Sequence, residues 1–397
     1  MSYSNTVNFS NPKEVQWKFA EKLYKEFIQD RPDLPQLLEN VDTPTLVIRK
    51  DKLQDRYREV IKNFDQFKVY YAVKANDHIE VIKTFSQEGA GFEIASPQEL
   101  EKVLSVGTPP EKIISSNPVK PLDFIDICLK NDIDRFAVDS FAEVDKIARF
   151  KKRARVYVRL AVPNVGSDWP LSRKFGVDVE TALEILDYAK EKGLIPYGLT
   201  FHVGSQCNNL QNWFVAIKRA KELWDRAATQ KGIRLQMLNI GGGIPARYTR
   251  ESLSVEEIAC YIKGLLNKYF NVRTLELQME PGRGLVAEAG LLVVSVIGKA
   301  KRGKENWLYI DSGVFHGLAE ALGGIRYSFY TPVGNTKLTF YTIGGISCDS
   351  MDVVAQNVAL PENITVGDRV FILTAGAYTT VYASHFNGFP PPNVLLV

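Results

Sequence analysis

Eight short apolar runs alternate with helical stretches: Val69–Val73, Phe92–Ala95, Ile113–Ser116, Arg135–Val138, Val156–Ala161, Gly198–His202, Met237–Ile240 and Leu275–Glu280. Each ends in a turn signal, and most then lead into a helical pattern. In Leu210–Trp224, for example, Trp213, Phe214, Ile217, Ala220 and Trp224 fall on one stripe. Further helices begin near Pro97, Phe141, Val179 and Ser254. Strands that alternate with helices imply parallel strands joined by crossovers, hence an α/β fold. Eight units suggest a closed (β/α)8 barrel, with an open doubly wound sheet as the alternative. After residue 284 the pattern changes. Leu291–Val296, Trp307–Ile310, Leu338–Ile343 and Arg369–Leu373 read as strands with few helices between them, so a second, mostly antiparallel β domain is expected. The expected organisation is an N-terminal segment (1–42), a barrel (43–284) and a C-terminal β domain (285–397). An amphipathic helix around Val15–Phe27 should pack against the β domain.

The 397 residues are 45% hydrophobic, enough for two cores, and the formal net charge is only +3. So balanced a chain carries no signature of nucleic-acid binding. It has no apolar run long enough to span a membrane, and its polar start lacks the apolar core of a signal peptide. Cys128, Cys207, Cys260 and Cys348 are far apart and form no C-x-x-C pair. A disulfide framework or structural metal is therefore not expected, and a cytoplasmic location is.

Polar residues of interest cluster just after the strands. Lys74 follows VYYAV, His202 and Ser205 follow GLTF, Gly241, Gly242 and Gly243 follow MLNI, and Glu280, Gly282 and Arg283 follow LELQM. In a barrel these positions gather at the C-terminal mouth. Taken singly, each has a plain structural explanation: a surface lysine, a core histidine, a tight turn, a surface ion pair. Together they fit one cofactor. A glycine run lets backbone N–H groups approach a phosphate, and an arginine clamps it. A partly desolvated lysine loses its proton and forms a Schiff base. A glutamate beside a pyridine nitrogen keeps it protonated. The cofactor expected is pyridoxal 5'-phosphate.

From Thr43 to Pro391 the chain resembles the pyridoxal-phosphate decarboxylases with the alanine-racemase-type fold, which act on ornithine, lysine, arginine and diaminopimelate. The resemblance is carried by YYAVKAN (70–76), GFEIAS (91–96), SSNPVK (115–120), FAVDS (136–140), RKFGV (173–177), FHVGSQ (201–206), IGGGIP (240–245), MEPGR (279–283), SCDSMD (347–352) and GAYTTVYASHFNGF (376–389). The bacterial ornithine/lysine branch fits best. The resemblance implies release of CO2 and an amine from an L-amino acid. Lys74 would carry the cofactor, His202 stack on its ring, and Glu280 pair with the ring nitrogen. Ser205, Gly242, Gly243, Arg283 and Tyr378 would hold the phosphate, with Glu93 and Arg159 nearby. Cys348 would protonate the substrate carbon. Cys348 and Asp349 would come from the partner subunit of a homodimer. Asp349, Phe315, Gly323 and Gly324 would line the substrate's side chain.

Two departures stand out. Glu93 occupies a place where this family's pattern expects aspartate. Where bacterial members of the branch carry an adjacent acidic pair, this chain has Gly323 and Gly324. The second departure points to a non-basic, acylated or conjugated amino acid as an alternative to ornithine or lysine. An amino-acid racemase and a non-catalytic decarboxylase-like regulator remain the alternatives in kind. The C-D-x-x-D context of Cys348 and the retention of Lys74 and Arg283 speak against them.

Overall fold

A computed structural model describes residues 11–150, 153–169, 174–334 and 337–397, so Arg173 of the RKFGV motif lies outside the described residues. The chain divides into two compact units: Arg49–Ala246 with Ser252–Ala287, and the residues up to Ile48 with Arg247–Glu251 and Glu288–Val397. No described helix is long and apolar enough to cross a membrane.

The first unit is the expected barrel. Its strands are β1 (Phe67–Ala72), β2 (Gly91–Glu93), β3 (Ile113–Ile114), β4 (Arg135–Val138), β5 (Arg155–Leu160), β6 (Ile195–Phe201), β7 (Met237–Asn239) and β8 (Glu276–Met279). All eight sit where the apolar runs place them. They pair in parallel in the order β3-β2-β1-β8-β7-β6-β5-β4, and a parallel bridge from Ser115 to Phe136 joins the two ends. The doubly wound alternative is thereby excluded. Most helices between strands start on side-chain caps. Ser96, Ser140, Asp178 and Ser254 each accept the backbone N–H three residues on, and Ser254 and Glu257 complete a capping box. The stripe expected in Leu210–Trp224 lies on the helix Leu210–Lys231 and buries Trp213, Ile217 and Ala220, while Trp224 packs edge-on against Phe270 at 5.6 Å.

A buried charge anchors one side of the barrel. Lys120 is fully buried and pairs with Glu143 at 3.0 Å. Its ammonium also donates to the carbonyls of Asn117 (2.8 Å) and Ala137 (2.7 Å), which pins the turn after β3 onto β4. Burial lowers its pKa to about 8.

In the second unit the long strand Gly290–Arg302 pairs antiparallel with Thr45–Ile48, Glu305–Ile310 and Arg369–Leu373. The sheet is mostly antiparallel, with parallel pairings between Glu305–Ile310 and Leu338–Gly344 and between Thr45–Ile48 and Asn393–Leu396. The helix Pro12–Ile28 buries Leu23, Tyr24 and Phe27 in a cluster with Val47, Leu291, Val293 and Phe371. The Tyr24 ring stacks on Tyr330 at 4.5 Å and on Phe371 at 5.4 Å. The sequence reading missed the strand Val353–Pro361, because Gln356 and Asn357 interrupt its apolar pattern. Asn357 has φ +56°, and the register shifts along this pairing.

Lys120→Ala should strip the donor from two carbonyls and one carboxylate at once. It is expected to cost about 3 kcal/mol in urea unfolding. A loss below about 1 kcal/mol would show that Lys146, which pairs with Glu143 at 2.6 Å, suffices alone.

Candidate active site

The end of each strand delivers one piece of the site. Lys74 lies in the single turn Val73–Ala75 that follows β1, and its ammonium is 2.6 Å from Glu93 Oε2 at the end of β2. The lysine side chain is 48% exposed and the glutamate 1%, so the amine stays accessible on a buried counter-charge. Glu93 Oε1 is buried with no hydrogen-bond partner among the described residues. The extra methylene of Glu93 thus still brings a carboxylate to Lys74.

After β6, His202 accepts the Gly204 N–H on Nδ1 at 3.0 Å, which puts the proton of the neutral ring on Nε2. Burial, with help from Arg159 and Lys74, holds the ring well below its ordinary pKa and therefore neutral. Gly242 follows β7. A Cβ there would stand 3.0 Å from His202 Nε2 and 2.8 Å from the Glu280 carbonyl, so only glycine keeps that space. Gly243, at φ +109°, accepts the Cys207 N–H at 3.0 Å. Arg283 donates from Nε to Ser205 Oγ at 3.1 Å. Arg159, on β5, lies over the Phe175 ring at 5.3 Å.

Glu280, after β8, accepts at Oε1 from Asn239 Nδ2 (2.5 Å) and from the Ser116 hydroxyl. Burial and the neighbouring Glu93 raise its pKa to about 7, against the pull of Lys74, Ser116 and Asn239. Glu99 is also raised to about 7, mainly by burial. One face of the barrel therefore offers an accessible amine, a neutral imidazole, a buried carboxyl that can hold a proton, and a glycine cradle beside a serine–arginine pair. This donor set fits pyridoxal phosphate. Glu280 suits a ring nitrogen, and Ser205, Gly242, Gly243 and Arg283 suit a phosphate.

Residues 50–287 match the pyridoxal-dependent decarboxylase, pyridoxal binding domain. The chain belongs to the pyridoxal-dependent decarboxylases. This decarboxylase is 34% identical to the lysine/ornithine decarboxylase of Selenomonas ruminantium over 92% of both chains. It is 33% identical to antizyme inhibitor 2 of Xenopus laevis, over 84% of this chain and 76% of that protein. A lysine/ornithine decarboxylase from Vibrio vulnificus, solved with cadaverine, superposes with a TM-score of 0.85 at 31% identity, over 92% of this chain and 97% of that one.

The remaining expected residues belong to the second unit. Cys348 is exposed, and Asn387 Oδ1 accepts from both its N–H (3.2 Å) and its Sγ (3.4 Å). Asp349 is exposed and accepts the Met351 N–H at 2.8 Å. Their loop is rooted on Asp352, a buried carboxylate that accepts the N–H groups of Val314 (2.8 Å) and Ser347 (2.9 Å). A Cβ on Gly313 or Gly345 would collide with that carboxylate, at 2.1 and 2.2 Å. Phe315 rests on Phe386 at 4.8 Å. Gly323 and Gly324 are exposed, and Glu320, the acid left in that segment, is buried. Tyr378 has φ +56° and stacks on Tyr382 at 5.8 Å. Sequence reasoning singled out neither Ser116, Tyr157 and Asn239 around Glu280 nor Asn387 beside Cys348. Ser116 and Asn239 are small polar residues at strand ends and Asn387 lies within a short turn, where all three pass for turn formers.

Glu280 binds its proton more tightly in the folded chain (about 7) than at its ordinary value of 4.5. The stability this contributes is present at low pH and lost as pH rises through about 7. Relative to wild type, cofactor-free Glu280→Gln protein should therefore gain stability between about pH 5 and about pH 8, on the order of 2 kcal/mol by urea unfolding. A flat difference would mean the folded carboxyl is already ionised at the lower pH.

Proposed function

We propose that the protein decarboxylates a basic L-amino acid, lysine or ornithine. The accessible Lys74 amine beside Glu93, in the same cradle as Glu280 and the Ser205–Arg283 pair, carries this reading. Bound pyridoxal phosphate supplies the electron sink that takes the electron pair left by departing CO2. Lys74 would hold the cofactor through its amine. His202 would cover the ring face, Glu280 would keep a proton on the ring nitrogen, and Tyr378 would join Ser205, Gly242, Gly243 and Arg283 at the phosphate. Arg159 and Glu93 set the charge around them. Cys348 holds the proton for the α-carbon at Sγ, and Asp349 receives the side-chain ammonium.

Cys348 and Asp349 reach the site from a second copy of the chain. Their exposure supports this, as does the exposed apolar surface of the same unit at Met351, Tyr382, Phe386 and Phe389. The four free cysteines suit the cytoplasm. A relative named as an antizyme inhibitor makes retention of Lys74 informative, since a purely regulatory chain has no use for that amine. Lys74→Ala should lose the cofactor's visible absorbance and at least about 10³-fold of turnover. Mixing it with inactive Cys348→Ala should restore part of the activity, because one hybrid site then has both residues. No recovery after verified subunit exchange would place both residues within one chain.

A second reading concerns the side chain accepted. Gly323 and Gly324 offer no carboxylate, and the space around Gly324 is open. The loss of one charge-assisted partner costs about 1.5–3 kcal/mol. An acylated or conjugated amino acid would not meet that cost. For ornithine or lysine, a kcat/KM above about 10⁴ M⁻¹s⁻¹ supports the basic substrate. A value well below it, with faster turnover of an Nω-acylated analogue, supports the second reading.

A further inference from the structure

We infer that Ser116, Tyr157 and Asn239 are positioning residues, a hydrogen-bond relay across the barrel that holds Glu280 as a carboxylate and directs its second oxygen to the cofactor. The inference rests on the proposed pairing of Glu280 with the ring nitrogen.

The relay draws on four strands. Ser116 follows β3, Tyr157 lies on β5, Asn239 ends β7 and Glu280 follows β8. On the Asn239 side the direction of the bond is fixed. Asn239 Oδ1 accepts the Gly241 N–H at 2.8 Å, so Nδ2 is the group that meets Glu280 Oε1. The Glu280 N–H in turn donates to the Gly241 carbonyl at 2.8 Å, which ties the two residues into one rigid corner. On the other side, the Tyr157 hydroxyl is 2.7 Å from Ser116 Oγ and 3.2 Å from the Ser115 carbonyl. Ser116 has one proton. Its oxygen can accept from Tyr157 while its hydrogen goes to Glu280. Burial raises Tyr157 well above its ordinary pKa, so it remains a donor at all relevant pH. Both donations fall on Oε1.

The relay has a force to oppose. Burial and Glu93 both favour the protonated form of Glu280, which could not stabilise a protonated ring nitrogen. Lys74 and Arg159 oppose them, and the two donors add to that side. An aspartate at 239 would present a second carboxylate where Asn239 presents an amide, so the amide is the part of the corner that matters.

The test titrates ¹³C-labelled glutamate carboxyls in the cofactor-free protein, with Glu280 assigned by its loss in Glu280→Gln. Affinity for pyridoxal phosphate is measured over the same pH range. The wild-type midpoint is expected at about 7. Ser116→Ala and Asn239→Ala should each move it upward by about one pH unit, Tyr157→Phe by less, and Ser116→Thr should restore it. Cofactor affinity at neutral pH should fall about tenfold in the two alanine variants and recover at higher pH. A midpoint that stays put in folded Ser116→Ala and Asn239→Ala proteins would overturn the relay. So would an affinity loss equal at every pH, the mark of a merely structural role. If Glu280→Gln leaves cofactor affinity and its pH dependence unchanged, the ring-nitrogen reading fails instead, while the titration of the cofactor-free protein still judges the relay.

Discussion

Closing eight parallel strands into a ring leaves every strand with the same polarity, so all their carboxyl ends emerge on one rim. The barrel's chemistry follows from that geometric fact. Lys74, Glu93, Ser116, His202, the glycine run and Glu280 come from positions spread over more than two hundred residues. The ring brings them to one face because each stands at or just beyond a strand end. The bridge from Ser115 to Phe136 matters for the same reason. It closes the ring beside Ser116, whose hydroxyl must cross the barrel to reach Glu280.

That rim is crowded with acids. Glu93 and Glu280 are buried and Glu99 is half-buried, and burial pushes two of the three carboxyls to about 7. A carboxyl poised there changes its protonation state near neutral pH for little free energy. The protein limits this freedom by giving each acid a distinct partner. Glu93 has the Lys74 ammonium, Glu99 the Ala95 N–H at 2.6 Å, and Glu280 two side-chain donors. Environment thus separates three like groups into three roles.

The barrel was legible because its strands are short, apolar and bounded by turns, and because Lys74, His202 and Glu280 each follow one directly. The strand Val353–Pro361 was not, since Gln356 and Asn357 break its pattern for reasons set by its neighbour. The helpers of Glu280 were hidden by distance. Asn239 lies 41 residues from Glu280 and Ser116 lies 164 residues away. Nothing local separates a serine that donates across a barrel from one that ends a strand. Tyr157 sits inside an apolar run, where an aromatic residue is expected to be core, and by burial it is.

The loop that bears Cys348 and Asp349 is built in two parts. Its root is the Asp352 carboxylate, enclosed by Gly313 and Gly345 so closely that neither glycine can gain a methyl group. Its tip, from Cys348 to Met351, is exposed and held by few bonds. A design of this kind separates heredity from novelty. The root tolerates almost no substitution, while the tip can explore new side chains without disturbing the sheet beneath it. A larger side chain at the tip therefore meets open solvent, whereas one at Gly313 or Gly345 forces the sheet itself to move.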